Sequence, residues 1–281
     1  GDVLRQYGSE AAGFIDGNGT SAAFHNPQGM TVAGDFLYVA DEQNHAIRRI
    51  HLLTGDVDTI AGTGNVGIPL LDSYDAPADV SLNSPTDIVF KDSKLYIAMS
   101  GLHQIWCLSL VAGTLKLFSG SGKEGLLDGP ATTASYAQPS GLAILFNRLY
   151  RIDAGASAVR EIDSETGAVR TIVGAGLFDY GDKDGSGKSA RLQYPLDILA
   201  DPEHRMLWIV DTYNNKIKRI GVNSEFVSSV VVDQRLFEPG GLAFHDDTLY
   251  IANTNAHEIV CLNPNNGHAE ALNVSEELAE I

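Results

Sequence analysis

Cysteine is nearly absent, with only Cys107 and Cys261 in 281 residues. Two cysteines build neither a disulfide framework nor a four-cysteine zinc site, and without a C-x-x-C pair the chain has no dithiol redox centre of its own. Long apolar runs are also missing. None approaches the roughly 18 residues that cross a bilayer, so no membrane insertion is expected. Gly1 opens on polar residues, with no basic and then apolar leader. Basic residues are scarce, 19 against 36 acidic ones, for a net charge of −17. That field repels a phosphate backbone or an anionic membrane surface, so no nucleic-acid partner is expected, whereas cations and basic protein patches are favoured. The G-x-S-x-G, H-E-x-x-H, Walker and dinucleotide fingerprints are all lacking, which leaves no nucleophile–base pair, no catalytic residue and no cofactor to name.

What is present is the composition of an ordinary globular protein, 44% apolar and 20% charged, organised by a repeat. Phe24-His25-Asn26-Pro27-Gln28-Gly29 recurs at Leu82 to Asp87, Tyr136 to Gly141, Leu192 to Asp197 and Leu236 to Gly241, and its prolines stand 58, 54, 56 and 44 residues apart. Each copy leads into a β-branched and aromatic run, Leu37 to Asp41, Leu95 to Met99, Leu149 to Asp153, Leu207 to Asp211 and Leu249 to Asn253. A half-polar strand follows, as in Asn44-His45-Ala46-Ile47-Arg48-Arg49-Ile50, and then a glycine-led fourth strand, as in Gly55 to Gly62. Four short strands per repeat, with glycine or proline at the junctions and no helical period, describe one blade of a β-propeller. Between blades an Asp-Gly pair stands 11 residues before the proline at Asp16-Gly17, Asp128-Gly129 and Asp184-Gly185, and reads as a turn. The apolar residue three before each proline, Phe24, Leu82, Tyr136, Leu192 or Leu236, is expected to anchor the linker.

This pattern, P-x-G, then L-Y-V-A-D, then N-H-x-I-R-x-I, then T-I-A-G, resembles the NHL-repeat family of β-propellers over essentially the whole chain. The resemblance implies an all-β propeller domain over residues 1–281, with five complete four-stranded repeats. Family members include scaffolds, RNA binders and lyases, so fold alone does not choose a function. The F-x-D-G linkers, the run Ile97 to Trp106 and Ala137-Gln138-Pro139-Ser140-Gly141 are similar to the propeller found in proteins that also carry a thioredoxin-like domain, which implies a module of a larger protein. Gly1 to Gly8 aligns with Gly55 to Gly62, a fourth strand without its first three. The ring would close with that strand, or be six-bladed if upstream residues completed the blade.

Candidate binding residues are those on the face that collects the interblade linkers and the turns between second and third strands. His45, His103 and His257 recur there, with Ser157 and Asn215 in the other two blades. Some propeller lyases of this family hold zinc with such histidines. However, one position repeated around a ring does not converge on one ion, so a turn role and no metal is the expectation. The residues Asp41, Asp153, Asp211 and Asn253 should accept loop N–H groups. Departures from the repeat are more telling. Asp87 and Asp197 replace the usual glycine, Met99 replaces the strand-end Asp, and Arg151 takes a position held elsewhere by Val39, Ile97, Ile209 and Ile251. Arg151 needs a carboxylate, with Asp87 or Asp197 as candidates. The tract Asp179 to Gly187 fails the calcium-loop pattern, with Arg191 at the closing position. The binding face is therefore assigned to Asp87, Asp197, Arg151, Met99, His103 and His257. The chain is expected to be a non-catalytic, monomeric binding or scaffold module for a protein or small molecule, coupled to a thioredoxin-like domain. A metal-assisted lyase or hydrolase is the alternative.

Overall fold

In each repeat the second strand is built from alternating large side chains, so both of its faces are apolar and both must be covered. In the first repeat Tyr38 and Ala40 pack with the second repeat, in one core with Ile47, Leu82, Ile88 and Ile97. Val39 and Leu37 point the other way, to Ile50, Val57, Tyr7 and Phe24. A sheet apolar on both faces is the unit of a stack of blades. The computed structural model, which describes residues 3–70 and 73–274, contains five such antiparallel sheets and, among the described residues, short 3-10 turns as its only helices.

The chain divides into two compact units. One comprises the described part of Asp2–Glu124 with Ala131–Pro139, and the other comprises Gly125–Pro130 with the described part of Ser140–Glu276. The first unit holds two sheets. One consists of Pro27–Ala33, Phe36–Asp41, Ala46–His51 and Asp56–Ala61; the other of Pro85–Lys91, Lys94–Met99, Gln104–Ser109 and Thr114–Ser119. The second unit carries the remaining three. Their second strands are Arg148–Asp153, Met206–Asp211 and Thr248–Asn253. Within it, one core joins Ile152, Val159 and Val173 to Leu192, Ile198 and Ile209. A second joins Trp208, Val210 and Ile217 to Leu236, Ile251 and Val260. The all-β propeller class and its five repeats are as the sequence implied.

The linker anchors Leu82, Tyr136, Leu192 and Leu236 are buried at 3% exposure or less, as expected, and Phe24 is partly buried. Two details differ from the sequence reading. Residues 4–8 form no strand; instead the Gly8 N–H donates to Gly19 O, just as Gly62 donates to Pro77 O and Gly120 to Ala131 O. The segment ends like a fourth strand without pairing as one. The Asp-Gly pairs, in turn, are latches rather than turns. Gly17 and Gly185 open two-residue strands that pair with the fourth strands Asp56–Ala61 and Phe226–Ser229, and Gly129 bridges Val169. The C-terminal repeat does carry a short fourth strand, Ala269–Ala271.

Cys107 and Cys261 are free thiols at the same register, opposite Tyr96 and Tyr250. Burial pushes the Cys107 thiol up, so it is a poor nucleophile at neutral pH.

Candidate functional site

The polar residues singled out by sequence are, for the most part, bonded to backbone. After each second strand the chain makes one 3-10 turn that must end in the left-handed region, and His45, Ser157, Asn215, His103 and His257 occupy that place with φ between 48° and 54°. The side chain of that residue then reaches the next linker. His45 Nδ1 accepts the Ser84 N–H at 3.0 Å, His103 Nδ1 the Gln138 N–H at 3.2 Å, Ser157 Oγ the Tyr194 N–H at 3.1 Å and Asn215 Oδ1 the Glu238 N–H at 2.7 Å. The requirement is one acceptor on a short side chain, which is why three residue types serve. His257, the last of the series, is exposed. Among the described residues no group of three or more His, Cys, Asp or Glu is placed to hold a metal ion. His45→Asn is expected to shift the melting temperature by less than about 2 °C, since Asn tolerates the left-handed region and serves at 215, whereas His45→Ala should cost about 1 kcal/mol or more by orphaning the Ser84 N–H. Thermal melts of the two variants check this.

A second device is repeated in three sheets. The strand-end Asp41 accepts the His25 N–H at 2.7 Å with one oxygen and the buried Arg48 guanidinium at 2.8 Å with the other. Arg48 also reaches Asp16 of the Asp-Gly latch at 2.8 Å, and Asp16 accepts the Thr59 N–H of the fourth strand. The same triad recurs as Asp153, Arg160 and Asp128, and as Asp211, Lys218 and Asp184, the last joined by Asp182. Asp182 and Asp184, in the tract that superficially resembles a calcium loop, thus spend their oxygens on Lys218, Lys216 and Ser229. The sequence reading identified the Asp as a loop acceptor but missed its cation seven residues on, although that cation stands in the quoted N-H-x-I-R motif.

The departures from the repeat fall in different places. Met99 is fully buried, and its cross-blade counterpart of Arg48 is Trp106 at 2% exposure, so the second blade replaces the ion pair by an apolar one and Met99 does not reach a surface. Arg151 is fully buried as well. It pairs with Asp153, at 2.5 Å, because residues two apart on a strand share a face. Asp87 and Asp197 sit where the innermost strands begin. Asp87 Oδ1 accepts the Ile88 N–H at 2.8 Å, and a Cβ on Gly29 would lie 2.6 Å from the Asp87 Cα. Asp197 accepts the Ile198 N–H and, with its second oxygen, the Leu242 N–H of the next sheet, both at 2.7 Å. Of the six candidates, His103 and Asp197 therefore hold loops and strands, and His257 alone is exposed.

Asp197 keeps some exposed area, yet the backbone of Gly141, Ile198 and Leu242 encloses its carboxylate. This burial pushes its pKa up to about 6 against the pull of the two N–H donors. Since the folded value exceeds the unfolded one, the native state binds the extra proton, and this contribution to stability grows as pH falls from about 7 to 5. The latch carboxylates act oppositely. Burial raises Asp128 and Asp184, but Thr171 with Arg160, and Ser229 with Lys218, outweigh it and hold both acids below the usual range. Their stabilisation is present above about pH 4 and is lost as pH drops further. The melting temperature is expected to peak near pH 5, and Asp197→Asn should flatten the limb between about pH 5 and 7 while leaving the acid limb. Differential scanning fluorimetry across pH tests both limbs.

Five antiparallel sheets of this repeat, stacked through their apolar faces within each unit, define a β-propeller. Searched against family models, the chain matches none. It is 35% identical over 306 residues to NHL repeat-containing protein 2 of Gallus gallus, covering 93% of this chain and 42% of the relative. It is 36% identical over 282 residues to Protein SUPPRESSOR OF QUENCHING 1, chloroplastic, of Arabidopsis thaliana, covering 91% and 26%. The chain thus spans less than half the length of these relatives. Among solved structures it is similar to a streptogramin B lyase, at TM-score 0.61, 14% identity and coverage of 92% and 72%. It is also similar to a chain of a nidogen/laminin complex, at TM-score 0.63, 13% identity and coverage of 88% and 78%; both likenesses are of fold. The chain belongs to the NHL-repeat β-propeller family.

Proposed function

We propose that this chain is a non-catalytic binding module of a larger protein, presenting its linker and turn face to a protein partner and coupled to a thioredoxin-like domain. The supporting observation is where apolar surface is spent. The long interblade connections carry Ile68 at 73%, Leu70 at 90% and Phe178 at 90% exposure, while the buried polar side chains of the blades are engaged in holding strands. Apolar side chains on variable connections over a rigid scaffold are the composition of a recognition surface. The charge of −17 directs that surface away from nucleic acid, and no helix among the described residues is long and apolar enough to cross a membrane.

The test is to join a thioredoxin-like domain to this chain through a protease-cleavable linker. Continued co-elution as a one-to-one complex after cleavage, lost on Leu70→Asp with Ile68→Asp, is the expected result. Separation on cleavage would overturn the coupling.

A further inference from the structure

The fourth strand is the outermost of each blade, and four blades hold it in two ways. Its second or third residue is large, apolar and buried: Val57 at 3%, Leu115 at 0%, Val169 at 5% and Val227 at 0% exposure. A latch from the preceding linker also pairs with its outer edge. Beside three of those latches lies a fully buried cation, Arg48, Arg160 or Lys218. Among the described residues the fifth blade has none of these supports. Its strand, Ala269–Ala271, is three residues long and places Ala269 where the others have Val or Leu. Val260 stands at the place of the cation, and the prolines Pro195 and Pro239 are only 44 residues apart, which shortens the linker that elsewhere carries the latch.

One linker residue takes over. The Asp233 N–H donates to Gly267 O at 2.9 Å, just as Gly19 donates to Gly55 O and Gly187 to Glu225 O in the first and fourth blades. Its Oδ1 accepts the Ala269 N–H at 2.7 Å, and its Oδ2 meets His268 Nδ1 at 2.9 Å. The place of His268 is held by Asp56, Thr114, Ala168 and Phe226 in the other blades, so the histidine belongs to this contact and not to the repeat. Both side chains of the pair are more than half exposed, and protons reach them freely.

We propose that Asp233 and His268 form a pH-operated clasp, which holds the fourth strand of the fifth blade while the imidazole is protonated and lets it open when the proton leaves. The surroundings fix the sign. The hydrogen bond to Asp233, the charge of Asp233 and that of Glu270 on the same strand all favour the protonated ring and raise His268 above its ordinary value. The bonds from His268 and the Ala269 N–H in turn lower Asp233. On the third strand Cys261 stands opposite Glu270, and burial and that carboxylate push its thiol up, so it stays neutral. Glu258 at the start of that strand is bonded to Gln234 and Asn253, and Arg235 of the linker lies over the Phe237 ring. The His268 contribution is therefore complete below about pH 6.5 and is lost as pH rises through its folded value, while that of Asp233 is present above about pH 4 and lost below it. Opening bares the outer edge of the third strand, which now pairs Val260 with Ala271 and Leu262 with Ala269, and an unpaired strand edge is a template for another chain.

The clasp does not depend on the binding-module reading. It is tested by amide hydrogen exchange of the full chain, followed by mass spectrometry on peptides spanning 266–272 and normalised for the intrinsic rate at each pH. Protection of that segment is expected to fall about two- to fivefold between about pH 6 and about pH 8, the scale of an exposed ion pair, while the Arg48-clamped strand Asp56–Ala61 changes less. Asp233→Asn keeps an acceptor for the Ala269 N–H, as Asn253 does for Phe237, and removes the charge, so it should abolish the difference between the two pH values. Equal protection of 266–272 at both values, or an equal change in Asp56–Ala61, would overturn the proposal. So would an Asp233→Asn variant that keeps the parent's dependence, because the titrating group would then lie elsewhere, with Asp197 the first to examine.

Discussion

Arg48→Met is expected to lower the melting temperature by on the order of 10 °C. The side chain is fully buried and its guanidinium donates to Asp41 at 2.8 Å, Asp16 at 2.8 Å, Ala23 O at 2.9 Å and Ile15 O at 2.7 Å, while lying 4.8 Å from the Phe24 ring and 5.2 Å from the Phe14 ring. One residue therefore ties the third strand to the end of the second and to the interblade linker. Methionine fills much of the same volume, but it strands the Asp41 carboxylate, itself fully buried, with only the His25 N–H and Asn44 for company. Breaking a buried pair on one side costs about 3–5 kcal/mol, which for a chain of this size is several degrees to more than ten. The sign of the compensating change follows from the second and fifth blades, which omit the pair. The fifth places Asn253 at the strand end, whose Oδ1 accepts the Phe237 N–H at 2.6 Å, and an apolar Val260 seven residues on, at the place of Arg48. Asp41→Asn added to Arg48→Met should accordingly recover about half of the loss, because it keeps the loop acceptor and removes the orphaned charge. Thermal melts of the single and double variants decide it. A single variant within about 2 °C of the parent would mean that the triad is ornamental.

The repeat made the blades legible because each constraint on them is local. Proline fixes φ at the innermost strand, the apolar anchor sits three residues earlier, and alternation fills both sheet faces. What escaped was long in sequence and short in space. Asp16 lies 32 residues from Arg48, so nothing in the Asp-Gly dipeptide distinguishes a latch from a turn. The partner of Arg151 was, by contrast, readable. Asp153 is two positions along the same strand, and the period of two puts both side chains on one face; distant carboxylates drew attention away from it. Met99 was assigned to the binding face and lies in the core, a distinction that depends on Trp106 standing in the same core at the place of Arg48. Tyr194 and Tyr213, whose rings stack at 4.9 Å, are separated by a whole hairpin, and only the aligned repeats show that the chain brings these two positions together, as it does in the first and fifth blades.

The start of the innermost strand alternates Gly29, Asp87, Gly141, Asp197 and Gly241, and the alternation makes Gly141→Ala severely destabilising while Gly241→Ala is nearly silent. A Cβ on Gly141 would stand 2.7 Å from the Asp197 Cα and 2.8 Å from the Ile198 nitrogen. Both are backbone atoms of a strand whose register is set by five pairings to its neighbour, from Asp197 with Val210 to Asp201 with Met206, so neither can yield without moving the sheet. Displacing that strand would also pull Asp197 from the Leu242 N–H it holds at 2.7 Å, loosening the next sheet. Overpacking alone costs about 1–3 kcal/mol, and with the lost hydrogen bond about 1 more, a drop of roughly ten degrees. The same methyl on Gly241 meets nothing nearer than the Asp197 carboxylate oxygen at 3.7 Å and the Ala252 Cβ at 3.8 Å, which is ordinary contact. Neither glycine takes a positive φ, so the two variants differ in space and not in backbone preference. Denaturant midpoints of the pair provide the measurement. Equal losses would refute the packing argument, since they would reflect a shared preference for glycine at strand starts rather than the close approach of Asp197.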